Sequence, residues 1–357
     1  MNSIMSYTRP QRYVFVLIIL CCAMVFSTRM VAAKVHVLKI ATLAPQGSVG
    51  LDLLEEAANK IKIQTQGRVQ MRFYPGGIMG NEQSILRKIR INQLQGGALM
   101  SGSLAHLYRG AEIYGAPFFF KSMQEVEYVR KKFDPIIKEH LQKKGLTVLG
   151  ISNTGFTYLM SSHSLKSEAD LRKSKVWMPT GDIIGKAMLQ TAKIQPILLP
   201  ISDVYTALQT GLVDTVVNTL SGVIILQWHT KIKYITELPL AMSTGFLVVS
   251  NKSMQRLAAN DRKIIQHVVA KMAIRMQDAH RKENIEARQV LRQMGLVFAE
   301  PTKLQVQYWN TLAQKTMRVL INDGIYADNL VKALRKRIEE FRSKQETEIL
   351  QSKTDAK

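Results

Sequence analysis

The sequence predicts an α/β protein of two domains, built on mostly parallel sheet with covering helices. Three observations lead there. Strand-like alternating runs and helix-like runs follow one another along the chain, the pattern of strands joined by crossover helices. The chain has 357 residues, a length that suits two domains better than one. A helical run from Asp261 to Met294 contains no Pro or Gly. At the α-helical rise it would be about 50 Å long, more than one domain needs, so it is expected to back both.

VHVLKIATL (residues 35–43) alternates like a strand, and Ala44-Pro45-Gln46-Gly47 follows as a loop. Ser48 caps a helix whose Leu51, Leu54, Ala58 and Ile61 share one face. VQMRFYP is the next strand, Gly76-Gly77 turns the chain, and Asn81 starts a helix presenting Ile85 and Ile89. ALMSGS reads as a short buried strand. A helix over 122–144 ends at Gly145, and LTVLGIS returns as a strand. Ser167 and Asp170 have capping-box spacing. KVWMP, QPILLP and LVDTVVNTL are strands, separated by a helix over 182–192 and by DVYTALQTG, which Ser202 is placed to cap. GFLVVSN is a return strand. After the long helix, two more cover 301–322 and 327–351, and residues 343–357 read as a polar tail.

The amino terminus has the pattern of an export signal. Arg9 and Arg12 precede the uncharged apolar stretch Tyr13–Phe26, and Val31, Ala32 and Ala33 offer a small-residue cleavage site. Residues 1–33 are therefore assigned as signal peptide, with an uncleaved anchor as the alternative. Cys21 and Cys22, the chain's two cysteines, both lie in it, so a mature chain has no disulfide and no thiolate chemistry. The 49 Lys and Arg against 27 Asp and Glu give +22, and removing three arginines with the signal leaves +19. Export argues against nucleic acid as the partner of that charge. It reads as a solvated surface facing an anionic membrane.

Nothing in the pattern points to catalysis. No pair among the seven histidines has zinc-ligand spacing, and neither Gly76-Gly77 nor Gly96-Gly97 belongs to a phosphate-cradling loop. There is no nucleophile elbow, and Glu55-Glu56 and Glu339-Glu340 fall on solvated helix faces. No metal or cofactor is expected. An exported α/β protein of this kind is most economically a ligand-binding protein.

The segments LKIATLAPQGS, RFYPGGIMGNEQSILRKIRINQLQGG, ADLRKSKVWMP, PISDVYTALQTGLVD and GFLVVSNKSM then carry a resemblance. The chain resembles the DctP-like solute receptors of TRAP transporters over essentially its whole mature length. That resemblance implies a two-domain periplasmic-binding-protein fold, type II-like, with crossover strands and a long helix behind both domains. It implies domain I from 34–153 plus 244–285, and domain II from 154–243 plus 286–342. It also implies a periplasmic monomer that traps a small solute by hinge closure, docks transiently at the inner membrane and delivers to the permease. A scaffold with a degenerate cleft on the same fold is the alternative.

The departures from that pattern matter for the ligand. Family members carry an arginine on the strand equivalent to KVWMP, where it meets a substrate carboxylate; here Trp177 stands there. No arginine occurs between Lys173 and Gln255. Polar first-domain positions appear as Leu43 and Gly102, and Asn218 matches a polar contact. By position in the family, Phe156, Tyr158, Ile201 and Gln83 complete the expected site, with Trp228 assigned to the core. The implied solute is largely apolar or amphipathic, and Lys186 is the nearest alternative partner for a carboxylate.

Overall fold

The computed structural model describes residues 35–355, so the signal-peptide assignment lies outside the described residues. The central sheet grows from strand β1 (His36–Thr42), flanked on both sides in parallel by β2 (Val69–Tyr74) and β3 (Gly96–Met100). Strand β9 (Ala241–Ser250) runs antiparallel to β3, and the long strand β4 (Leu146–Ser161) antiparallel to β9. Beyond Thr157, β4 also pairs with β7 (Thr215–Thr219) and β8 (Tyr234–Thr236), and β10 (Val297–Ala299) closes that edge. A separate parallel pair is formed by β5 (Trp177–Pro179) and β6 (Ile197–Leu199). The expectation of a mostly parallel sheet is corrected to a mixed one. The two strands that cross the whole molecule, β4 and β9, are antiparallel to each other.

Local signals explain most elements. Ser48, Asn81, Ser122 and Asp182 each accept a backbone N–H in the first turn of the helix they precede. Ser202 does not act this way: its hydroxyl donates to Asp203 next door, and the helix Val204–Gln209 starts without a side-chain cap. ALMSGS divides, with β3 ending at Met100 and a short helix occupying Ser101–Leu104. LTVLGIS is only the first half of β4. The strand passes through irregularities at Val148/Gly150 and Asn153/Gly155, where Gly155 adopts a φ of +132°.

The helix Ala259–Gln293 spans 35 residues. Its Ile265, Val268, Val269 and Met272 join one core with β1 and β2, while Ala287 and Leu291 join another with Tyr158, Trp177 and Trp228. At its first turn the buried Asp261 takes two hydrogen bonds from the Arg68 guanidinium, at 2.9 and 3.2 Å. Where β4 bends, His280 Nδ1 lies 3.3 Å from the Asn153 carbonyl and the Asn284 amide donates to the Thr154 carbonyl at 2.8 Å. No helix among the described residues is long and apolar enough to cross a membrane.

Met317, Leu320, Tyr326, Val331, Leu334 and Ile338 pack in the core built by the helix Met123–Lys143 and strand β3. The polar segment from 343 on continues the helix Asp328–Asp355, which runs past the end expected at 351. Arg342 anchors it, donating to the buried Glu125 carboxylate at 2.8 Å and to the Phe119 carbonyl at 2.9 Å. A capping box holds the preceding helix, Lys303–Asn322: Thr302 Oγ1 accepts from Gln305 N–H, and Gln305 Oε1 accepts from Thr302 N–H. Thr302→Ala is expected to cost about 1 kcal/mol of stability, read as a lower urea midpoint with unchanged slope.

Candidate functional site

A cavity of about 280 Å³ lies where β1, β3, β5, β6 and β7 end. The chain leaves these strands at their carboxyl ends into loops and helix N-termini, the usual place for a ligand in an α/β fold. The β3 side contributes Met100, Ser101, Gly102 and Ser103, and the β5 side contributes Met178 and the loop Pro179–Asp182. These two sides approach closely. A Cβ on Gly102 would sit 3.4 Å from the Gly181 carbonyl and 3.5 Å from Glu112 Oε1, so glycine keeps this passage open.

Leu43, Gln83, Trp177, Ile201 and Asn218 line the cavity. Trp177 does so as a wall: it is 1% exposed, its ring meets Trp228 edge-on at 5.2 Å, and its indole N–H donates to the Leu199 carbonyl at 3.0 Å. It therefore offers a solute an apolar face and no free donor. Asn218 Oδ1 accepts from the Thr219 backbone N–H at 2.8 Å, which leaves the amide N–H groups as its polar offering.

Phe156 and Tyr158 are a correction. Their neighbours Thr157 and Leu159 line the cavity, while Phe156 and Tyr158 point to the other face of β4. There the Arg288 guanidinium stands 5.7 Å from the Tyr158 ring and its Nη2 lies 3.4 Å from the phenol oxygen. Side chains alternate along a strand, so an error of one residue reverses the face. Lys186 is also removed from consideration: it is exposed on the helix Ile183–Thr191 and does not line the cavity.

Three acids that sequence reasoning missed are present instead. Glu82, in the first turn of the helix Glu82–Arg90, accepts the Met100 backbone N–H at 2.6 Å, and burial pushes its carboxyl up to about 7. Glu112, in the 3-10 turn Arg109–Gly115, is raised well above the usual range by burial and by the neighbouring Asp182 carboxyl. Asp182 caps its helix through Gly185 N–H at 2.7 Å and is itself raised by burial. No Lys, Arg or His lines the cavity among the described residues.

With this architecture in view, the comparisons are decisive. Residues 40–323 match the sequence pattern of bacterial extracellular solute-binding protein, family 7. The chain belongs to this family, the DctP-like solute receptors. Among relatives, the receptor is 25% identical over 251 residues to the sialic acid-binding periplasmic protein SiaP of Vibrio cholerae, covering 68% of this chain and 75% of that one. It is 24% identical over 277 residues to the C4-dicarboxylate-binding periplasmic protein DctP of Rhodobacter capsulatus, covering 76% and 80%. Its fold matches a TRAP periplasmic solute-binding protein from Chromohalobacter salexigens with bound D-glucuronate (TM-score 0.79, 18% identity, 84% and 99% covered). It matches equally well one from Desulfovibrio salexigens with bound orotic acid (TM-score 0.78, 18% identity, 85% and 99% covered). The receptor thus shares its backbone with proteins that hold organic acids, while among the described residues its own cavity wall carries no basic side chain.

Proposed function

We propose that this TRAP-type receptor captures a small, largely apolar solute in the cavity and delivers it to a membrane permease without transforming it. One observation carries the reading: a cavity of about 280 Å³ at the strand ends, walled by Trp177, Met178, Ile201 and Leu159 and, among the described residues, free of Lys, Arg and His. A carboxylate moved from water into such a wall finds no cation to replace its hydration, at a cost of several kcal/mol. An apolar body instead gains about 25 cal/mol per Å² of surface it buries. We further propose that residues 1–33 direct export, that the protein works as a monomer docking transiently at the membrane, and that two lobes close on the solute. Residues 35–153, 244–285 and the carboxyl-terminal helix would form one lobe, and 154–243 with 286–315 the other. The bend at Asn153–Gly155, held by His280 and Asn284, supports this as a hinge.

The test is a thermal-stability panel of apolar, amphipathic and sugar-acid solutes. A true solute at a hundredfold excess over its dissociation constant should add about 2.7 kcal/mol. It should also shrink the solution-scattering radius while leaving the circular dichroism spectrum unchanged. Micromolar binding of succinate or malate would overturn the apolar reading, and failure of every solute to stabilise the protein would favour a scaffold with a closed cleft.

A further inference from the structure

Glu82, Glu112 and Asp182 share one cavity wall, which among the described residues has no Lys, Arg or His on it. Glu112 is 5% exposed, so its carboxyl is taken almost wholly out of water. Its Oε2 accepts the Tyr326 hydroxyl at 3.4 Å, its carboxyl and that of Asp182 are within hydrogen-bond reach of each other, and Oε1 faces the Gly102–Gly181 passage. Asp182 spends Oδ1 on the Gly185 N–H. Glu82 is further committed, to the Met100 N–H and beside the Ser103 hydroxyl.

We propose that the solute carries a positively charged nitrogen, an ammonium or amidinium on an apolar body, seated between Glu112 and Asp182. This deepens the receptor reading and rests on it. Two adjoining carboxyl groups in an apolar wall cannot both remain ionised without a counter-charge. Arg109 stands near Glu112 and offsets part of one charge, and Tyr326 supplies a neutral donor. In the empty cleft the pair therefore retains a proton. A bound ammonium replaces it: the N–H groups donate to Glu112 and Asp182, and the displaced proton leaves to solvent. Hydrogen bonds between ionised partners are the strong kind, and burial strengthens them. A carboxylate solute would meet repulsion at the same place.

The experiment is isothermal titration of the mature receptor with matched trios, a primary amine, its alcohol and its carboxylate, on butyl, hexyl, cyclohexylmethyl and phenethyl bodies. The tightest binders should be amines, by about tenfold or more over their own alcohol and carboxylate. Their binding should release protons, seen as a dependence on buffer ionisation enthalpy, and should tighten as pH rises from about 5 to 8. Glu112→Gln should erase the preference for amine over alcohol while leaving alcohol binding in place. Should that variant fail to fold, Asp182→Asn, which keeps a helix cap, must show the same loss. If a carboxylate or alcohol binds tightest, or amine binding weakens with rising pH, the charge inference falls and the receptor reading stands. Silence across all four bodies counts against both.

Discussion

Trp177→Ala should lower the unfolding free energy by about 3–5 kcal/mol, the range for removing a large buried aromatic. The ring is 1% exposed and packs at 5.2 Å against Trp228, which is equally buried, so two indoles form the centre of one core with Val204, Val216 and Leu220. Truncation would leave a void beside the cavity and orphan the Leu199 carbonyl, which now accepts the indole N–H. Trp177→Phe separates the two contributions. It keeps most of the apolar volume and loses the hydrogen bond, so it should cost clearly less than alanine, on the order of 1–3 kcal/mol for the unsatisfied carbonyl. Urea unfolding of both variants without solute measures this. Equal stability of the alanine variant and the parent would mean that Trp177 hangs in the cleft as a ligand wall alone.

The dual placement of Trp177, in a core and on a cavity wall, shows where sequence reading succeeds and where it stops. Caps such as Ser48, Asn81 and Ser122 were legible because a cap is a contact between neighbours in the chain. The long helix was legible because nothing in Asp261–Met294 interrupts it. Phe156 and Tyr158 were placed by family position, which does not fix the face a side chain takes; β4 is irregular at Asn153/Gly155, and such a step sets which side chains face which side. The anchoring role of Arg342 was not legible because its partner Glu125 lies 217 positions away. Glu112 had no signal for the same reason. It sits in a 3-10 turn without apolar periodicity, and its partner Tyr326 is 214 positions away. Trp177 and Asn218, named by family position, both line the cavity, and only the three-dimensional structure shows the carboxyl groups beside them.

That charge makes the receptor's stability depend on pH in a direction opposite to that of a paired carboxylate. Burial moves Glu82 from the ordinary 4.5 to about 7. Below pH 4.5 the folded and unfolded chains both hold the proton, and Glu82 has no effect. Between 4.5 and 7 the folded chain keeps a proton that the unfolded chain has released, so stability falls as pH rises and levels off above about 7. A shift of this size is worth about 3 kcal/mol as an order of magnitude. Glu112 and Asp182, raised for the same reason, act with the same sign. His280 opposes them, since burial lowers its pKa and stability from that group rises as the unfolded imidazole loses its proton. Glu56, held down to about 2 by Arg275 and Lys60, acts between 2 and 4.5, below this window. The difference between Glu82→Gln and the parent therefore isolates Glu82. Glutamine keeps an oxygen for the Met100 N–H and has nothing to ionise. The two proteins should have similar stability at pH 4.5, and the variant should become the more stable by up to about 3 kcal/mol at pH 8. Unfolding curves that stay parallel from pH 4.5 to 8 would show that Glu82 ionises freely into solvent through an open cleft.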